Sequence, residues 1–418
     1  MQRVLSFQTG RGGGESTEFV TKRMCCSLIF SVGFLCLLCG FLIGRFAAGR
    51  VIEIRIERKK LELDGNGLYY YDHLRNELIS NLNNANFDLT FNVTHLRTSK
   101  ALESVEKSLS GLNIFNEITG NDSCVIATVR GSHEPDRYIV LGVDGPNIVI
   151  GISIAKEFQK IYETHEWIPK RTLIFLISTD FMESCLYSLS NYDRSKIVAY
   201  LAVDKSPIEE QGVFLMSGSD MVQTTVLEAS KDFPDFQNPY NFTNLQRLKV
   251  NMPQAVISFN SQINYTNLAE NKNFVRTNQI NLARVLSNSI WKLSEMTIFQ
   301  WDPQMLNEVI EVLDQITSQD LQIIREYIKT TVKRIISEGL TLNGKIMNID
   351  RLKSLDIRIM NDFLKDLEQI LLCPDETFQS QTDIAALRQK IQSKNVYEYL
   401  HNMLKCYQDA DKILQDMT

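Results

Sequence analysis

Two aspartates close apolar runs that read as strands: Asp144 ends RYIVLGVD and Asp204 ends YLAVD. In an α/β enzyme the carboxyl ends of parallel strands border the crevice where ligands bind. A carboxylate placed there can ligate a metal or carry a proton. The simpler role, closing the turn or helix that follows, is the preferred reading for both residues. Glu183, in the stretch DFMES after a further apolar run, reads most simply as a solvated helix residue. The five histidines, His73, His95, His133, His165 and His401, do not cluster, and none falls at an expected strand end. No G-x-S-x-G elbow, phosphate-cradling loop or catalytically spaced Cys/His pair occurs elsewhere in the chain. The sequence offers carboxylate chemistry and little else.

The elements that would position these carboxylates follow from apolar periodicity. CVIATVRG and RYIVLGV read as neighbouring strands joined by the polar turn SHEPD. Ile150, Ile154, Phe158 and Ile161 share one face of a helix that precedes the strand RTLIFLIS. KIVAYLAVD, GVFLMS and PQAVISF continue the strands, with a helix from about Asp220 to Phe233 among them. Strands alternating with helices predict an α/β fold with a mostly parallel sheet flanked by helices. Before them, Tyr70, Leu74, Leu78 and Leu82 recur on one helical stripe.

After about Asn273 the pattern turns helical. Asp302-Pro303 is a start signal and Gly339 a stop signal, with Leu306, Ile310, Leu313 and Ile316 as the core face between them. A second helix carries Leu352, Leu355, Ile359, Phe363 and Leu367 up to Cys373-Pro374. A third, from about Thr382, carries Leu387, Ile391, Leu400, Leu404 and Tyr407. Three amphipathic helices of this kind make an all-α bundle, either self-covered or shared with a second subunit.

One N-terminal segment is of another class. Cys25 to Phe46 runs CCSLIFSVGFLCLLCGFLIGRF with no charge before Arg45, about the length that spans a bilayer. A cleaved signal peptide is disfavoured because the apolar run is too long and no small-x-small site follows it. The flanking basic residues, Lys22 and Arg23 against Arg45, Arg50 and Arg55, leave the orientation open. Four sequons at Asn92, Asn121, Asn241 and Asn264 all follow the span, which favours a short cytoplasmic tail and a glycosylated lumenal or extracellular part. Cys25 and Cys26 are candidate palmitoylation sites, with ordinary helix packing as the plain alternative. Cys124, Cys185, Cys373 and Cys406 lack the spacing of a zinc site, and one or two long-range disulfides among them are expected, their pairing open. A net charge of -6 without a basic aromatic stripe argues against nucleic acid as a partner.

At this level of detail a family emerges. EPDRYIVLG, EWIPKRTLIFLIS and KIVAYLAVD resemble, in order and spacing, the peptidase-like domain shared by glutamate carboxypeptidase II and the transferrin receptor. LDIRIMNDFLKDLEQILL and the helix after it resemble that family's helical dimerisation domain. The resemblance runs from about Leu68 to the C terminus. It implies residues 1–24 as a cytoplasmic tail, 25–46 as a signal anchor, 47–67 as a stalk, 68–298 as a peptidase-like α/β domain and 299–418 as a helical dimerisation-like domain. Only about forty residues separate Leu82 from Cys124, too few for the family's apical domain.

The resemblance also places the family's zinc ligands. Its first histidine falls on Asp144, its Glu-Glu pair on Met182 and Glu183 or on Phe181 and Met182, a retained Asp on Asp204, and its last His near Thr266. The bridging Asp lies in a loop shortened here to GPNIVIG. At most Asp144, Glu183 and Asp204 persist as vestigial ligand positions, and methionine cannot take a proton from water. The expectation is a protein without catalytic residues, resident metal or cofactor. It is a non-enzymatic, membrane-anchored homodimeric receptor for an unknown protein ligand, type II in topology, in the plasma membrane or in endosomal or secretory membranes. The alternative is a zinc-dependent exopeptidase with an unusual ligand set.

Overall fold

The β-branched runs assemble, in a computed structural model of the protein, into one seven-stranded sheet. The structure describes residues 22–63, 66–85, 87, 98–120, 124–179, 182–205, 207–208, 213–231, 252–260, 272–349, 354–372, 374–375, 380–381 and 396–417. The sequons at Asn92, Asn121, Asn241 and Asn264, and also Phe181, Thr266 and Cys373, lie outside the described residues. The strands are β1 (Glu117–Gly120), β2 (Cys124–Val129), β3 (Glu134–Asp144), β4 (Arg171–Ser178), β5 (Ile197–Val203), β6 (Val213–Gly218) and β7 (Gln254–Asn260). The helices are α1 (Lys22–Leu63), α2 (Asn66–Leu82), α3 (Thr98–Ser110), α4 (Ile148–His165), α5 (Met182–Ser188), α6 (Asn191–Ser195), α7 (Asp220–Ser230) and α8 (Lys272–Glu295). They continue with α9 (Asn307–Asp314), α10 (Gln322–Met347), α11 (Ser354–Leu371) and α12 (Val396–Met417).

Strand order is β1-β2-β4-β3-β5-β7-β6. The expected parallel pairing holds for the inner strands β4, β3, β5 and β7, which are bonded side by side in parallel. β1, β2 and β6 extend the sheet in antiparallel fashion at its two edges. The strands read as neighbours across SHEPD, β2 and β3, are not neighbours. α4 carries the chain over to β4, which inserts between them and pairs with both. Every residue of β4 and β5 is buried, as continuous apolar runs require when a sheet is covered on both faces.

The chain divides into two units, Met1–Tyr70 and Tyr71–Thr418. In the first, α1 runs unbroken, and its segment Ser27–Ile52 has a mean hydropathy of 2.4 with none of it buried. That segment is long and apolar enough to cross a membrane. In the second, Leu74, Leu78 and Leu82 of α2 and Ile150, Ile154, Phe158 and Ile161 of α4 are buried in one core continuous with the C-terminal helices.

Two helical expectations change. The helix read from Asp302 to Gly339 is two helices, α9 and α10, separated by a non-helical stretch and a short 3-10 turn. Gly339 stops nothing. It lies inside α10, where a Cβ would come within 2.7 Å of Trp301 and 2.8 Å of Pro303, so the glycine serves close packing rather than termination. On α11 the buried apolar residues are Ile357, Met360, Leu364 and Leu367, whereas Leu355 and Ile359 are 67% and 52% exposed. The face turned inward instead carries polar residues, Asn361, Lys365 and Glu368, all buried.

These polar groups meet the amino-terminal ends of the inner strands. Asn361 accepts from the Phe299 N–H at 3.0 Å and donates to the Thr297 carbonyl at 2.9 Å. Arg358 pairs with Asp136, Arg137 with Asp362, and Lys365 donates to the Ser195 carbonyl. Beside this seam the Arg171 side chain, only 2% exposed, opens β4. Its Nε donates to Glu134 at 2.7 Å, its other nitrogens to the Leu293 carbonyl at 2.6 Å and the Thr297 carbonyl at 3.4 Å, and its plane stacks 4.4 Å from the Phe299 ring. Removing one partner from such a buried network leaves the others desolvated and unpaired. Arg171→Met is expected to lower unfolding free energy by about 3–5 kcal/mol, read from the urea midpoint at constant slope. An unchanged midpoint would show that the guanidinium carries no structural load.

Candidate functional site at the carboxyl ends of the inner strands

Parallel register sets Val143 against Val203, which brings Asp144 and Asp204 side by side at the carboxyl ends of β3 and β5. Period-two alternation puts Val140, Gly142 and Asp144 on one face of β3. After Asp144 the chain turns sharply: Gly145 takes φ +55° and opens the 3-10 turn Gly145–Asn147, and Asn147 leads into α4. Only glycine enters that left-handed conformation at low cost. The Asn147 side chain donates to the Asp204 carbonyl at 2.7 Å and ties the two strand ends together.

Met182 begins α5 and folds over the same face. A Cβ on Gly142 would fall 2.5 Å from the Met182 sulfur and would also overlap the Tyr200 hydroxyl, so both side chains occupy the space a larger residue would fill. Met182 and Tyr200 belong to one buried cluster with Val140, Leu176 and Cys185. A disulfide between Cys124 of β2 and Cys185 of α5 fastens this helix to the sheet. Cys406 is disulfide-bonded as well, its partner lying outside the described residues.

Asp144 is buried, and its Oδ1 has no hydrogen-bond partner among the described residues. Burial raises its pKa from 3.8 to about 7, the neighbouring Asp204 adds to the rise, and Lys205 and the Met182 N–H oppose it without prevailing. A carboxyl in this state is a half-ionised acid near neutrality, able to donate or accept a proton.

Of the positions carried over from the family, the structure brings Asp144 and Asp204 together and sets Met182 beside them. Glu183 lies on α5, but its side chain is outside the described residues, as are the side chains of Cys25 and Cys26 on α1. A pair of zinc ions requires several histidine and carboxylate donors converging on each metal. Among the described residues no group of three or more His, Cys, Asp or Glu side chains has such an arrangement. The described residues at this strand end do not by themselves make up the donor set of a zinc pair. Tyr200 and Lys205 were not singled out from sequence. Tyr200 alternates with Ala202 on the strand and could have been found by projecting β5 onto the face of Asp144.

The sheet and helices define an α/β architecture with a mainly helical C-terminal region, interrupted by a short antiparallel pairing of Pro374–Asp375 with Ser380–Gln381. No family model matches the chain. Aminopeptidase NAALADL1 of Rattus norvegicus is 24% identical over 143 residues, a weak and divergent homology spanning 29% of this chain and 18% of the relative. Among solved structures, a zinc aminopeptidase from Bacillus subtilis aligns with a TM-score of 0.32 and 7% identity, over 41% of this chain and 49% of that one. The LapA aminopeptidase of Legionella pneumophila aligns with a TM-score of 0.34 and 10% identity, over 53% and 73%.

The expectation of a non-enzyme is corrected by this homology, because the relative is named an aminopeptidase and no comparison points to lost activity. The physical reason for the error is an incomplete donor count. Ligand positions were transferred across loops whose lengths differ, and the segments 180–181, 209–212 and 261–271, next to the ends of β4, β5 and β7, are outside the described residues.

The Asp144 environment gives a pH dependence whose sign is fixed. The folded pKa lies above the ordinary value, so stability present in acid is lost as pH rises from about 4 to about 7. Asp144→Asn removes that loss. The stability of the variant minus that of the wild type is expected to grow over this window by at most about 1.4 kcal/mol per pH unit, then level off. Chemical denaturation at pH 5, 6, 7 and 8 reads the difference, and a constant offset would show that Asp144 ionises as freely folded as unfolded.

Proposed function

We propose that the chain is a single-pass, membrane-anchored receptor of peptidase-like fold, with its α/β and helical parts outside the cytosol, where they bind a protein or peptide ligand. The observation that carries this reading is a 26-residue unburied apolar segment on the same chain as a disulfide-bearing α/β unit. Disulfides persist in oxidising compartments and are rare in the cytosol. The four sequons after the segment agree in direction. The anchored chain is type II, with residues after the segment lumenal or extracellular, at the plasma membrane or in endosomal or secretory membranes.

The receptor is a homodimer. Leu355 and Ile359 form an exposed apolar step on α11, and Ile323, Tyr327 and Met347 are exposed on α10. Apolar faces of this kind favour a partner surface, and a two-fold axis lets each patch meet its own copy. Phe363, expected on the same face, packs against the core instead. A second reading, zinc-dependent exopeptidase activity, is favoured by the homology to a protein named an aminopeptidase.

Three measurements on the full chain decide among these, the first in intact membranes and the other two in detergent. Glycosidase treatment should increase gel mobility; no change, with the C terminus open to protease from the cytosolic side, would overturn the topology. Light scattering should give twice the glycosylated chain mass, and Ile359→Asp should weaken the dimer by burying an unpaired carboxylate; a monomeric wild type refutes the assembly. Metal analysis with an aminopeptidase assay tests the second reading: stoichiometric zinc and chelator-sensitive turnover support it, and the lack of both counts against it, whatever the topology and assembly.

A further inference from the structure

The inward face of α11 ends at a carboxyl group with no apparent reason to be charged. Glu368 is 3% exposed, and its Oε1 accepts the Met221 N–H at 3.0 Å in the first turn of α7. The Val222 N–H and the Ser219 side chain also bond to this carboxyl. Its Oε2 is buried with no partner among the described residues. Glu368 therefore joins two helices distant in sequence, through the exposed N–H groups that every helix start presents.

We propose that Glu368 is a proton-operated latch between α11 and the first turn of α7, seated when its carboxyl is neutral and loosened when it ionises.

Two effects compete at this contact. The helix start and its N–H donors favour the anion. Full burial disfavours it, and Asp220, the first residue of α7, adds like charge beside it. Burial and repulsion win, and the carboxyl titrates at about 8. Of the other charged groups on α11, Asp366 has its pKa raised by burial and interacts with Lys365, Asp362 and Arg137, and three more are engaged elsewhere. Lys365 bonds the Ser195 carbonyl, Asp362 pairs with Arg137 and Arg358 with Asp136. Between α10 and α12, Arg334 pairs with Asp411 at 2.6 Å. No cation reaches Glu368 among the described residues, so ionisation leaves a buried charge facing Asp220.

The sign follows from proton linkage. An ordinary glutamate, at 4.5 in the unfolded chain, has lost its proton where the latched one still holds it. Local opening is then favoured as pH rises through the interval between those values and reaches a plateau above the upper one. One proton released on opening gives up to roughly a tenfold larger opening constant per pH unit. The seam of Asn361, Arg358 and Lys365 holds the rest of α11, so opening is confined to its C-terminal half and the start of α7.

Hydrogen exchange of the full chain in detergent, between pH 6 and 8.5 and corrected for intrinsic rates, tests this on peptides covering 219–226 and 362–371. In the wild type, protection of both should fall together, up to about tenfold per pH unit, and flatten near the top of the range. Glu368→Gln keeps shape and acceptor but cannot ionise, so its protection should be flat. A slope in this variant equal to that of the wild type overturns the latch. Asp220→Asn gives an independent reading should the first variant fold poorly. It should keep the slope and move the plateau to lower pH, and an unmoved plateau overturns the proposal equally.

Discussion

A guanidinium cannot be buried unless the surrounding fold supplies acceptors for it, and that constraint organises this protein. Arg171 opens β4, the strand with β2 on one side and β3 on the other. Its acceptors come from β3 through Glu134 and from the end of α8 and the chain beyond through Leu293 and Thr297. Those residues must arrive together or the charge is left unpaired in the interior, at a cost of several kcal/mol. Glu295 sits at the same junction, where the Lys170 N–H and ammonium reach its carboxyl group, yet burial still raises its pKa. The junction thus fixes where the sheet ends and the helical region begins, and Asn361 extends it by bonding the backbone at Thr297 and Phe299.

That seam explains why α11 misleads a reader of apolar periodicity. A helix packed against an apolar layer shows its buried face as a stripe of leucines and isoleucines. α11 also packs against strand starts and helix termini, which expose backbone N–H and C=O groups needing partners. Asn361, Lys365 and Glu368 meet that need at three- and four-residue spacing, so part of the buried face is polar. Leu355 and Ile359 are pushed to solvent in consequence. Sequence periodicity sees amphipathicity correctly here and places Leu367 and Phe363 against the core, but it misplaces Leu355 and Ile359.

Much of the rest was legible. The inner strands, α4, α7 and the helical apolar segment of α1 are carried by local runs of apolar residues. The misses share a cause, because each depends on residues far apart in sequence. The insertion of β4 between β2 and β3 is decided by a crossover, which local pattern does not record. Gly339 reads as a stop until Trp301 and Pro303 are seen against it. At the candidate site, Asp144 and Asp204 were identified from strand ends alone, and parallel register brings them together. The Cys124–Cys185 link and the packing of Met182 on Gly142 were not, since four cysteines leave the pairing open and a thioether gives no signal.

The buried carboxyls also share one direction. Asp144, Glu295 and Glu368 lie in different parts of the second unit, and in each burial is the largest influence, raising the pKa against nearby donors. In many folds carboxylates are held by cations or N–H groups, so acid weakens the structure. Here three inward-facing acids hold their protons more tightly folded than unfolded, and their combined contribution weakens as pH rises. The site residue Asp144 and the interhelical contact of Glu368 therefore respond to the same variable in the same sense. They belong to opposite ends of the sheet, so the response is not a property of one pocket. It follows from building both ends of a buried sheet with carboxyls whose burial outweighs the donors and cations near them, and a glutamine or asparagine at either place would abolish it while leaving the packing in place.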